Sequence, residues 1–81
     1  MYDEYDLYTG KRYILRVHKG LFKKCYVDHI DIDEEMIYYT QDPYEAGVFY
    51  PYERAVDVAR ILEEQQQGVT KVDIIDKARY D

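Results

Sequence analysis

From Tyr13 to His18 hydrophobic character alternates with a period of two: Tyr13, Leu15 and Val17 fall on one side, and Ile14, Arg16 and His18 on the other. That period, in residues that favour extended backbone, predicts a strand. Lys19-Gly20 supplies a turn, since glycine takes positive φ without steric cost. Alternation resumes over Leu21–Asp28 and predicts a second strand. Its faces are Leu21, Lys23, Cys25 and Val27 against Phe22, Lys24, Tyr26 and Asp28. After a polar break at Asp31–Glu34, residues Glu35–Thr40 predict a third strand, with Met36 and Tyr38 opposite Ile37 and Tyr39.

The pattern then changes period. Asp42-Pro43-Tyr44-Glu45 reads as a short helical turn, with Asp as cap, Pro at the first position and Glu completing a capping box. From Pro51 to Gln67 the spacing is helical: Ala55, Val56, Ala59 and Leu62 form an apolar stripe, and Val58 and Ile61 widen it. Gly68 fits the stop. Over Val69–Ile75, Val72 and Ile74 alternate with Lys71 and Asp73 and predict a last strand. The expected fold is α+β in the order β-β-β-α-β, a mostly antiparallel sheet of three to four strands with one amphipathic helix on one face. Residues 1–10, with Tyr2, Tyr5 and Tyr8 among acids, are expected to be a flexible arm. Residues 11–76 are the domain, and 77–81 a frayed tail.

Composition bounds the function. A chain of 81 residues is one domain at most and leaves little room for a deep cavity. Twenty Leu, Ile, Val and Phe residues are enough to build a core. One cysteine allows no internal disulfide, the N-terminus is acidic rather than a signal peptide, and no run is long and apolar enough to span a bilayer. The sequence thus points to a soluble cytoplasmic protein with no membrane partner.

Candidate chemistry is sparse. The carboxylates of Asp28, Asp31, Asp33, Glu34 and Glu35 lack the glycine and terminal Glu offsets of a calcium loop. His18, Cys25 and His29 lack zinc-ligand spacing, so no metal and no cofactor is expected. There is no serine, Cys25 alternates with apolar residues as a core position would, and no glycine-rich phosphate loop exists. These absences argue against an enzyme.

Charge and tyrosine content carry the positive signal. The net charge is −6, from 17 acidic and 11 basic residues. Lys11, Arg12, Arg16, Lys19, Lys23 and Lys24 crowd one stretch, whereas from Cys25 to Glu53 there are acids but no Lys or Arg. Eleven tyrosines accompany two phenylalanines and no tryptophan, and tyrosine is favoured at binding surfaces. The expected partner-binding face is therefore Asp28, Asp31, Asp33, Glu34, Glu35, Tyr38, Tyr39, Asp42, Tyr44, Glu45, Tyr50 and Tyr52. Its expected partner is a protein with a basic surface. Two rivals remain open. One is a nucleic-acid module using Arg16, Lys19, Lys23 and Lys24 with Phe22 and Tyr26, against which the net charge counts. The other is a structural homodimer using a sheet edge.

The stretch from Tyr13 to Ile75 also resembles small proteins of bacteriophages and mobile elements of Gram-positive bacteria. The resemblance rests on Tyr-Ile-Leu-Arg-Val-His-Lys-Gly (13–20), then Thr40, Asp42 and Ala46, then Phe49, the helix from Ala55 to Leu62, and Val72-Asp73-Ile74-Ile75. It is a pattern of fold and carries over no active residue. Such proteins include inhibitors of host defence nucleases, anti-CRISPR proteins among them. The resemblance implies that class, and the acidic, tyrosine-rich face read from the residues would let such a protein occupy a nucleic-acid-binding site on a host protein.

Overall fold

The computed structural model describes residues 10–21 and 23–80. The expected arm over residues 1–10 lies outside them except for Gly10. Strands β1 (Tyr13–Lys19), β2 (Lys23–Asp31), β3 (Met36–Thr40) and β4 (Val69–Asp76) form one antiparallel sheet in the order β3-β2-β1-β4. Helix α1 (Tyr52–Gln65) connects β3 to β4 and covers one face. The α+β class, the strand count and the single helix agree with the alternation read from the sequence.

The core lies between α1 and that covered face. Leu15, Val17 and Val27 are fully buried, with Tyr13, Cys25 and Val72, against Ala55, Ala59 and Leu62. Two small alanines let the helix axis approach the sheet, and Leu62 fills the space beyond them. Burying a side chain such as Leu62 stabilises by about 1.5–3 kcal/mol relative to leaving it in water. The stripe is narrower than expected, for Ile61 is 47% exposed and does not join it. Leu21, placed with Cys25 and Val27 by alternation, is instead 91% exposed in the turn ahead of β2.

One insertion shapes everything that follows. Register between β1 and β2 runs only from Lys19↔Lys23 to Arg16↔Tyr26. Beyond Tyr26 the segment after β3 fills the gap: Gly47 N–H donates to the Val27 carbonyl at 2.8 Å, and Tyr13 and Phe49 exchange two backbone hydrogen bonds. A Cβ on Gly47 would collide with the Asp28 carbonyl oxygen, so this approach requires glycine. A register shift between Val27 and His29 bends β2 here. Past the wedge, β2 pairs among the described residues only with β3, and His29–Asp31 with Met36–Tyr38 forms a two-stranded arm.

The ends are tied more closely than the sequence suggests. A 3-10 turn at Pro43–Glu45 is capped by Asp42, whose Oδ1 accepts the Tyr44 N–H at 2.9 Å. The reciprocal half of the capping box does not form, because Thr40 Oγ1 accepts the Asp42 N–H and donates to Glu45. Lys77–Tyr80, expected to fray, forms a second 3-10 turn. It brings the Tyr80 ring edge-on to Tyr26 and Tyr44. There Ile14, Ile75 and Ala46 make a small second core on the face opposite α1.

Candidate protein-binding site

The arm formed by β2 and β3 collects the acids. Ile32–Glu35 closes the hairpin, and Asp33, Glu34 and Glu35 are exposed there. Asp31 Oδ1 accepts the Glu34 N–H at 3.1 Å and pins the turn. Glu35 has φ 55°, in the left-handed region that favours glycine. Asp28 lies at the root of the arm, its carboxylate 3.1 Å from His29 Nδ1.

Apolar and aromatic groups share the arm with these acids. Ile30, Ile32, Met36 and Tyr38 are all exposed, Ile32 by 82%. On one face the Tyr38 ring stacks on His29 at 4.4 Å, and its hydroxyl donates to Glu34. On the other face Ile30 and Ile32 join Val48, Phe49, Arg54 and Val58 around a cleft of about 280 Å³ between the arm and α1. The alternation Ile30-Asp31-Ile32-Asp33 held the signal for these isoleucines, but read as a polar break it placed no apolar surface among the acids.

The remaining expected site residues lie apart from the arm. Tyr39 faces the core, where burial raises its hydroxyl pKa, and Lys19 Nζ sits 3.8 Å over its ring. Asp42 and Glu45 flank the far end of β3 at the first 3-10 turn. Tyr44 is exposed beside Tyr80 on the open sheet face. Tyr50 lies under Arg12, and Tyr52 packs edge-on against Tyr13 at the start of α1. The structure therefore gathers Asp28, Asp31, Asp33, Glu34, Glu35 and Tyr38 on one arm, with Asp42 and Glu45 at the other end of its outer strand. Tyr39, Tyr44, Tyr50 and Tyr52 are distributed elsewhere.

The basic residues of the first hairpin are divided between the two faces of the sheet. Arg16 and Lys24 project from the open face, while Lys19 lies on the helix side over Tyr39. Arg16 is also engaged. Its Nε and Nη2 donate to Asp73 Oδ2 at 3.1 and 2.9 Å, directly across β1 and β4. His18 Nε2 lies 2.7 Å from the same oxygen, and Lys71 Nζ 3.4 Å from Oδ1. An ionised carboxylate only accepts, so the His18 nitrogen donates. Burial opposes ionisation, but hydrogen bonds from His18, Arg16 and Lys71 outweigh it and hold the Asp73 carboxyl down at about 2. The same hydrogen bond raises the Arg16 pKa.

Among the described residues no three His, Cys, Asp or Glu side chains cluster closely enough to hold a metal ion. His18 lies on the open face, Cys25 is buried under α1, and His29 stacks on the arm. No helix among the described residues is long and apolar enough to cross a membrane. Comparison with protein-family models, curated proteins and solved structures finds no match to the chain.

Proposed function

We propose that the protein is a non-catalytic binding module whose β2–β3 arm docks against a basic surface on another protein. The observation that carries this reading is the arm itself: acids crowd its turn, and exposed Ile30, Ile32, Met36 and Tyr38 accompany them. Carboxylates steer a cationic partner and set its orientation, while apolar and aromatic groups supply contact area once water is excluded. A two-stranded ribbon with no further sheet neighbour is marginal by itself. The Gly47 wedge at its root supports a projection whose Met36 and Tyr38 stay exposed. Glu35 points the same way, since an acid in the left-handed region breaks a local rule where glycine would cost less.

The resemblance of the sequence to small phage and mobile-element proteins, a class that includes inhibitors of host defence nucleases, makes a host nuclease, or another protein that binds nucleic acid, the partner class this reading favours. A run of acids along an arm presents negative charge to a cationic channel as a phosphate backbone does. The test is affinity capture from a bacterial lysate, with and without nuclease treatment, using the parent and a triple variant, Asp33→Lys, Glu34→Lys and Glu35→Lys. The parent should retain a basic protein that the folded variant loses. Equal capture by both, or capture that nuclease abolishes, would contradict the reading.

A further inference from the structure

We infer that β3 takes up a fifth strand: an extended segment of the partner, with Lys or Arg at both ends and apolar side chains at alternate positions between. This rests on the proposed function and specifies how the arm engages its partner. Among the described residues β3 is one of two sheet edges and pairs on one side only, with β2. An edge strand presents backbone donors and acceptors that another chain can pair with.

The two edges differ. On β4 the Val72 N–H is taken by Glu63 Oε1 from α1 at 3.0 Å, so a helix side chain occupies the edge where an added strand would bond. β3 lies at the opposite side of the sheet from that helix contact. Its five residues span about 17 Å of extended chain. Exposed Met36 and Tyr38 lie on one face, and Ile37 and Tyr39 on the other border the core. An added strand would set apolar side chains beside Met36 and Tyr38, the cross-strand pairing that stabilises antiparallel sheets.

Charge selects the occupant. Asp31, Asp33, Glu34 and Glu35 stand at one end of β3, and Asp42 and Glu45 at the other. A second copy pairing through β3 would place these groups against their like in either orientation, which disfavours self-association. A segment with cations at both ends meets anions at both ends.

The test compares two synthetic peptides of equal charge, KRVTVTVKR and KRVPVPVKR. Proline removes backbone donors and clashes with a ladder, so the second keeps the charge and loses strand pairing. Calorimetry should show the first binding about tenfold tighter or better, from a few additional hydrogen bonds. Binding should weaken with salt and with the triple lysine variant. Hydrogen exchange of β3 amides should slow only with the first peptide. Equal affinities would overturn strand addition and leave the acidic-arm reading standing. If neither peptide binds, strand addition falls, and the capture experiment decides the arm separately. Dimerisation of the peptide-free protein with slowed β3 exchange would make a second copy the occupant and overturn the inference.

Discussion

Glu63 Oε1 accepts the backbone N–H of Val72 at 3.0 Å, so a side chain from the helix occupies a hydrogen-bonding position on the edge of β4. Removing the acceptor leaves that amide to water or to another chain. Glu63→Ala should cost about 1 kcal/mol, as loss of one such bond does. In a domain this size that lowers the melting temperature by about 4–8 °C. Glu63→Gln retains an acceptor oxygen and should recover most of the loss. An unchanged melting temperature for the alanine variant would show that the contact contributes nothing.

Asp73 gathers Arg16, His18 and Lys71 on the open face, and its carboxyl is held at about 2 against an ordinary 3.8. A carboxyl depressed in the folded state contributes stability above its unfolded pKa and loses it as pH falls through the folded value. The difference in stability between the parent and Asp73→Asn should therefore be greatest above pH 4 and shrink towards pH 2. Chemical denaturation across that range measures it, and subtracting the variant removes the other carboxylates. A difference constant from pH 5 to pH 2 would contradict the network.

Leu62 and Ile61 are neighbours with opposite environments, 1% and 47% exposed. Leu62→Ala should cost about 2–5 kcal/mol, enough to unfold much of so small a domain. Ile61→Ala should stay within about 0.5 kcal/mol. Comparable losses at the two positions would mean that the helix is rotated.

Gly47→Ala tests the wedge at the root of the arm. The added Cβ meets the Asp28 carbonyl, which must move. A cost of about 1–3 kcal/mol is expected, as overpacking generally gives, with amide shifts concentrated at Val27–His29. A neutral substitution would show that the close approach is not maintained.

The elements with regular periods were legible in the sequence. β1 alternates cleanly because its buried face packs under α1, and Ala55, Ala59 and Leu62 repeat at the helical period for the same reason. The wedge was not legible, since a glycine needed for close approach looks in sequence like a glycine in a turn, and Gly47 gains its meaning only when Asp28 lies beside it. Lys77–Tyr80 read as a tail because what orders it, the rings of Tyr26 and Tyr44, is distant in sequence. The acids of the candidate site were visible as a run without Lys or Arg. Their apolar companions were hidden because Ile30 and Ile32 alternate with aspartates beyond a register shift, where period alone does not tell which face is covered.

In the proposed function the β2–β3 arm, and not the open face carrying Arg16, Lys24 and Lys71, meets the partner. Amide chemical-shift mapping of the isotope-labelled protein during titration with KRVTVTVKR tests it most directly. The largest shifts should fall between Ile30 and Thr40 and fade as salt screens charges beyond about 8–10 Å. Shifts centred on Arg16, Lys24 and Lys71, or none confined to any part of the chain, would contradict it.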